Sequence, residues 1–519
     1  MDRRKRENDV VRVRRNDSRL TTRTDPLGKS ELRTRDTDGN VVQFMDRRGQ
    51  ESTFTYDSLN RLAGQAYQDG STVAGSYDAN GRLLQASDSA GGTFDYIYDS
   101  TGRVINQADQ FGSVQYTYDA AGRIVSRRVA GQPEVTYSYD ATSNLLNASL
   151  PQTAADFTYD ARNELLTIAR SNGVSSQYTY DPAGRLLSLV HQGGQGVQIP
   201  FAYSYDAAGE RSTYSTNFTA PQAAINIFDA GERLTEGGAT SYTYDDNGNV
   251  AFAKGSTGTI TYTWDTRNRL QSISAPGGQE TTFFYDAGTN LIARTDSGPA
   301  LNLRQTFVLD RMNVAYIARS NGDNLSVLAG LAIDQHLAVV HASGQVEYGL
   351  ADATNSTAST VDQNGGLVSQ FSYAPFGGTT TTSTYPFQFT GRVPVNGALY
   401  YYRARYYDSQ AGRFSSEDPL GLGGKEMLLY EYTHDSPLNL TDPTGLASCV
   451  AECQDAIGQV GLVSCALITG GLIAATIATG GLTAALVPLA GITLCSMVFV
   501  HLSTVTCENH CAPQTCPGQ

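Results

Sequence analysis

Residues 115–124 read Gln115-Tyr116-Thr117-Tyr118-Asp119-Ala120-Ala121-Gly122-Arg123-Ile124, and this stretch decides the fold. Aromatic and polar residues alternate as on a strand with one buried face, which sets Tyr116 and Tyr118 on the same side. Asp119 to Gly122 are turn formers, and Arg123-Ile124 begin a second strand. The unit is a β-hairpin.

Outward from this hairpin the Tyr-Asp pair recurs. It stands at Tyr56-Asp57, Tyr77-Asp78, Tyr98-Asp99, Tyr118-Asp119, Tyr139-Asp140, Tyr159-Asp160, Tyr180-Asp181, Tyr205-Asp206, Tyr244-Asp245 and Tyr285-Asp286, the first seven 20 or 21 residues apart. Phe228-Asp229 and Trp264-Asp265 are degenerate copies, and Arg35-Asp36 is an outlying one. A fixed interval near twenty marks a repeat architecture. One hairpin cannot bury its own aromatic face, so neighbours must add edge to edge into a long sheet. The repeat Tyr, Asp and Arg therefore read first as structural, with Asp bonding the turn backbone and Tyr packing across strands. A carbohydrate-binding aromatic surface is the alternative use of the same tyrosines, and it requires exposed ring faces.

Composition agrees. Among 519 residues there are 30 Tyr against one Trp, 52 Gly and 17% charged residues, a mixture suited to short strands and tight turns. Collagen is excluded because Gly has no period of three, and coiled coil because Lys, Glu and Leu do not dominate. A net charge of -14 argues against nucleic acid as a partner. The six His are scattered, and no HExxH, nucleophile motif or phosphate loop is present, so no cofactor and no metal are implied for the main chain. Residues 1–36 are basic and are expected to be poorly structured; no apolar segment follows them, so export would use a route other than an N-terminal signal peptide. All seven Cys lie beyond residue 448, which places a boundary near residue 446.

The unit Tyr-x-Tyr-Asp-x-x-Gly-Arg-Leu, as at Tyr178 to Leu186, resembles the YD repeat of Rhs proteins, Tc toxin C components and teneurins. The resemblance implies an all-β fold in which hairpins spiral into a hollow shell, here over residues 37–344. From residue 345 to 446 a different pattern resembles the Rhs-associated core: Phe371 to Gly377, Phe389 to Arg392, Leu399 to Asp408, Gly412 to Phe414, Asp418-Pro419-Leu420-Gly421 and Asp442-Pro443-Thr444-Gly445-Leu446. Tyr348, Asp352, Asn355 and Ser356 precede it, with Asn355 where the family has Gly, and Asn tolerates a left-handed turn.

Asp-Pro-x-Gly is a good turn by itself. Two such turns can also bring two carboxylates to one place, where they share a proton. The resemblance implies that Asp418 and Asp442 act as an aspartate dyad cutting the chain between Leu446 and Ala447, assisted by an upstream arginine, for which Arg413 fits best and Arg405 second. Between the turns this chain has about two residues more than the family, an insertion placed near Gly423 to Glu426.

Residues 447–519 contain no Lys or Arg, and Ala456 to Val500 carry no formal charge. At about 20 residues per membrane-spanning helix, this run suffices for an α-helical hairpin. Cys449-x-x-x-Cys453 and Cys507-x-x-x-Cys511 flank it, positioned for two disulfides across the hairpin base. Zinc held by Cys507, His510 and Cys511 with Cys449 or Cys453 is an alternative, and a buried soluble helical pair is another. The family places a variable effector after the core. The expected function is thus a secreted or cell-surface toxin carrier that releases its own tail as membrane-active cargo, with an immunity protein and a target membrane as partners. The competing reading is a surface adhesion protein that binds carbohydrate and is anchored by the same tail.

Overall fold

The protein is described by a computed structural model that covers residues 12–16, 19–215, 226–299, 301–396, 398–421 and 428–446. The tail expected to form a helical hairpin, with Ala447, Cys449, Cys453, Cys507 and Cys511, and the insertion expected near Gly423 to Glu426 lie outside the described residues. The described chain is all-β. Consecutive antiparallel hairpins build a 20-stranded sheet from Arg12–Asn16 to Arg211–Ser215, a 15-stranded sheet from Asn226–Phe228 to Leu367–Gln370, and a 4-stranded sheet from Val393–Asn396 to Arg413–Phe414. Among the described residues there is no α-helix, and no helix long and apolar enough to cross a membrane.

Each repeat is one bonded unit. In the turn at Asp57, Oδ1 accepts the backbone N–H groups of Leu59 and Arg61, both at 2.9 Å. Arg61 Nε returns to Asp57 Oδ2 at 2.6 Å. The Arg61 guanidinium lies over the Tyr77 ring of the next repeat, 4.5 Å from its centroid, and the Tyr77 hydroxyl donates to the carbonyl of Leu62 at 2.8 Å. Turn, strand and neighbour are thus locked together, and the lock recurs with Arg82 on Tyr98, Arg103 on Tyr118, Arg123 on Tyr139 and Arg185 on Tyr205. Each cation–π contact adds about 0.5–1 kcal/mol. The residue that closes the turn has positive φ, which favours the Gly (Gly81, Gly102, Gly122) or Asn (Asn60, Asn163, Asn268) found there in most repeats, while Ser143, Glu232 and Thr289 adopt it in three others. Asn355 in the core stretch has φ 63° and does the work expected of the family Gly.

The two large sheets meet across long offsets in sequence, from 217 residues between Lys29 and Asp246 to 150 between Tyr203 and Ala353. Arg127 donates to the carbonyl of Val327 at 2.8 Å, the Tyr137 hydroxyl to that of Ala329 at 3.3 Å, and the Thr153 hydroxyl to the Tyr348 hydroxyl at 2.9 Å. One apolar cluster joins Val135 to Tyr203 with Leu328 to Val361. A separation close to 200 residues corresponds to roughly ten twenty-residue repeats per turn of a spiral.

Two boundaries differ from the sequence expectation. Strands begin at Arg12, inside the segment expected to be poorly structured, because Arg19–Thr24 and Ser30–Arg35 pair with their neighbours and Asp25 closes a repeat-type turn by accepting N–H from Leu27 and Lys29. The second sheet also continues past residue 345, through Val346–Ala351 and Thr357–Asp362 to Gln370, because Asp352 and Asp362 make the same turn without the Tyr that marks it in sequence.

Candidate active site

The stretch Leu399 to Asp408 folds back on itself, with Leu399–Tyr402 paired to Arg405–Asp408 and Tyr402 opposite Arg405. Tyr400, Tyr402 and Tyr407 are buried with Phe389, Phe414 and Tyr432 in one aromatic cluster. Against that cluster sits Arg405, 3% exposed, its guanidinium 3.6 Å from the centroid of Phe414. A flat cation is the group that can stack on an aromatic ring and still present donors along its edge.

Those donors converge on the two Asp-Pro turns. Arg405 Nη2 lies 3.1 Å from Asp418 Oδ2 and 3.5 Å from Asp442 Oδ2, Nη1 donates to the carbonyl of Leu429 at 3.0 Å, and Nε donates to the carbonyl of Gly445. Both Asp are nevertheless turn residues as well. Asp418 Oδ1 accepts the Leu420 N–H at 2.8 Å; Asp442 Oδ1 accepts N–H from Gly445 at 2.9 Å and from Leu446 at 3.1 Å, with Thr444 N–H and hydroxyl at 3.2 Å. The turn bonds fall on Oδ1 and the contacts to Arg405 on Oδ2 of the same carboxylates.

Burial sets the electrostatics. It raises the Asp442 carboxyl to about 6, with the Asp418 charge pushing the same way and Arg405 opposing. Asp418 is raised by burial as well, again against Arg405. Burial thus pushes both carboxyls toward the protonated form, with the one guanidinium opposing it at each. Such a pair can polarise an amide carbonyl with one member and activate water with the other.

Of the sequence candidates, the structure brings together Asp418, Asp442, Arg405 and the backbone of Leu446. Arg413 is not among them. Successive residues of a strand face opposite sides; Phe414 turns toward Arg405, so Arg413 points away, its guanidinium 4.2 Å from the centroid of Phe228 and donating to the carbonyl of Glu232 at 3.3 Å. The arginine that faces both Asp is Arg405. His434, in the 3-10 turn Thr433–Asp435, has its Nδ1 3.7 Å from Glu431.

Sequence reasoning missed a second layer. Asp334 pairs with Arg392 at 3.0 Å and with Arg403 at 2.7 Å. Arg392 also donates to the carbonyl of Asp442 at 3.3 Å, and Arg403 to that of Pro443. The two arginines thus clamp the backbone that carries Asp442. Arg392 and Arg403 stand in quoted core stretches, but Asp334 has no local signal, since its partners are 58 and 69 residues away. Among the described residues no cluster of three His, Cys, Asp or Glu could hold a metal.

Comparison with known proteins matches the same architecture. The Teneurin YD-shell family model matches residues 12–175 and 153–427. The tRNA3(Ser)-specific nuclease WapA of Bacillus spizizenii is 27% identical over 274 residues, 50% of this chain and 11% of that protein. Toxin subunit YenC2 of Yersinia entomophaga is 26% identical over 281 residues, 47% of this chain and 29% of that protein. Toxin protein Tse5 of Pseudomonas aeruginosa is 47% identical over 62 residues, 12% of this chain and 5% of that protein. The chain thus spans less than a third of the length of these relatives. In fold it is similar to the crystal structure of TcdB2-TccC3-TEV, with a TM-score of 0.65 and 17% identity over 82% of this chain and 28% of that one. With a match running from Arg12 almost to the second Asp-Pro turn, the chain belongs to the teneurin YD-shell family.

Proposed function

We propose that this chain is the carrier portion of an Rhs-type toxin, which cuts itself once between Leu446 and Ala447 and frees residues 447–519 as cargo. The observation that carries the reading is the convergence of Asp418 and Asp442 on Arg405, with Asp442 also bonded to the N–H of Leu446, the residue on the acyl side of the cut. The site keeps the Gly445–Leu446 peptide in place from both sides, Arg405 on its carbonyl and Asp442 on its N–H. In the proposed step the ionised carboxylate takes a proton from water, whose oxygen adds to the Leu446 carbonyl carbon. The protonated carboxyl shares its proton with the developing oxyanion. The C–N bond then breaks, the Ala447 nitrogen leaves as an amine with a proton from the dyad, and it takes up the proton that the new Leu446 carboxylic acid loses, giving an ammonium and a carboxylate. One water is consumed and the dyad is regenerated.

The relatives are named for different activities, among them a tRNA nuclease and a double-stranded DNA deaminase toxin. A shared carrier with exchangeable cargo fits that variety. For this chain the cargo segment, with no Lys or Arg and 45 uncharged residues in a row, suits a membrane better than a nucleic acid. In this reading residues 12–446 are shell and core, the tail acts outside the producing cell, and the producer needs an immunity protein against it. The adhesion reading is weaker. The tyrosines Tyr77, Tyr98, Tyr118, Tyr139 and Tyr205 have an arginine over one ring face and their hydroxyls on backbone carbonyls, which removes the open platform a sugar would stack on.

Size exclusion of the purified chain tests the carrier role. A 447–519 fragment that co-elutes with the shell under native conditions and separates in denaturant supports it, and the isolated fragment should then release dye from anionic liposomes. A fragment that elutes freely in native buffer would contradict enclosure.

A further inference from the structure

The two halves of the dyad are anchored to opposite ends of the first sheet. Glu417, next to Asp418, is held by two arginines almost the whole chain away. Arg23 Nη2 donates to Oε2 at 2.8 Å and Arg47 Nη1 to Oε1 at 2.8 Å. All three side chains are nearly buried, with 10%, 5% and 13% exposure for Arg23, Arg47 and Glu417. Arg47 also pairs with Asp25 at 2.9 Å, and its backbone N–H donates to Asn247 Oδ1 at 2.9 Å. On the other flank the Val250 N–H donates to the Ser415 carbonyl at 2.9 Å and the Tyr430 hydroxyl to that of Gly248 at 2.7 Å. The Asp418 loop therefore wedges into the seam where strands near residues 23–47 meet strands near residue 250, one spiral turn later. The Asp442 segment is held by the other end of the same sheet. In the last strand, Arg211–Ser215, the Arg211 N–H donates to Asn439 Oδ1 and Nη1 to the Leu438 carbonyl, each at 2.6 Å.

We infer that self-cleavage is conditional on closure of the shell's first turn, with Arg23, Arg47 and Arg211 as positioning residues that bring the Asp418 and Asp442 loops together when the first sheet is complete. The inference rests on the proposed self-cleavage and adds when it occurs. Contacts between residues 370 to 394 apart in sequence form after the intervening strands have closed the distance. A buried carboxylate such as Glu417 also cannot be left without its arginines, because an unpaired buried charge is strongly unfavourable. The loop would stay out of its seam until both arginines arrive. A tail cut free before the shell has wound would escape its container; this arrangement delays the cut.

The test uses the full chain, unfolded in denaturant and diluted to refold, with cleavage followed by intact mass against time. Arg23→Ala and Glu417→Gln should each slow cleavage by about tenfold or more, as misplacement of a reacting group does. The double variant should be no slower than the slower single one, because the two act through one contact, and Arg23→Lys should recover most of the rate. In parallel, in an uncut Asp442→Asn background, Glu417→Gln should speed hydrogen exchange of residues 414–421, and Arg211→Ala that of residues 436–446. Wild-type cleavage rates in Arg23→Ala and Glu417→Gln, multiplying effects in the double variant, or unchanged exchange would overturn the inference. A wild-type chain that never cuts would instead overturn the self-cleavage reading, while the exchange measurement still decides whether the anchors position the two loops.

Discussion

The hydroxyl of Tyr98 donates a 2.9 Å hydrogen bond to the backbone carbonyl of Leu83, fifteen residues earlier at the start of the neighbouring strand. The same bond joins Tyr56 to Val41, Tyr139 to Ile124, Tyr180 to Leu165 and Tyr285 to Leu270. At the degenerate repeat, Trp264 Nε1 makes it to Val250 at 2.8 Å, so the indole N–H replaces the phenol. The Tyr of the repeat is selected for a donor at the tip of a large apolar ring.

Tyr98→Phe keeps the ring under Arg82 and deletes the donor. We expect a loss of about 1 kcal/mol in stability, the size of one hydrogen bond. Denaturant unfolding of Tyr98→Phe beside wild type measures it; an unchanged midpoint would contradict the role given to the hydroxyl.

Arg405→Lys should abolish cleavage, because an ammonium group cannot span two carboxylates while donating to the carbonyls of Gly445 and Leu429. Arg413→Lys should cut at the wild-type rate. Gel densitometry after refolding separates the two outcomes.

Cleavage should slow as pH rises through about 6. The Asp442 carboxyl is raised to about 6 by burial, and above that value the proton shared with Asp418 is lost. The same shift has a sign for stability. The folded state binds this proton more tightly than the unfolded chain, so the group's contribution is full below about 3.9, the ordinary value, and is lost as pH passes about 6. A refolding time course between pH 5 and 8 reads the rate, and a rate that rises across that range would rule out a dyad that needs a shared proton.

Gly445→Ala should stop cleavage with modest loss of overall stability. Gly445 has φ 70°, and a methyl there would collide with the carbonyl of Tyr402. Strain of this kind costs about 1–3 kcal/mol and would push the Leu446 peptide away from Asp442. Mass analysis with a thermal melt distinguishes a displaced turn from an unfolded protein.

Much of this was legible in the sequence, for a physical reason. The repeat writes its turn, its positive-φ residue and its bonded Tyr within ten residues, so hairpin and Asp-capped turn are readable at Tyr118 to Arg123. The turns at Asp418 and Asp442 were readable because each Asp-Pro-x-Gly is local, whereas their pairing was implied only by the resemblance to the Rhs-associated core. What local sequence does not carry is direction and distance. Arg413 and Arg405 look alike in the chain, and strand alternation with Phe414 decides between them. Asp334 reaches Arg392 and Arg403, and Glu417 reaches Arg23 and Arg47, across separations that fall together only when the sheets wind. The end of the second sheet at Gln370 was hidden because the turns at Asp352 and Asp362 keep the Asp and drop the Tyr.

Self-cleavage is tested most directly by intact mass under denaturing conditions of wild type beside Asp418→Asn and Asp442→Asn. The account predicts two fragments from wild type, one ending at Leu446 and one beginning at Ala447, and full-length chains from both variants. A full-length wild-type chain, or fragments that persist in either variant, would contradict it.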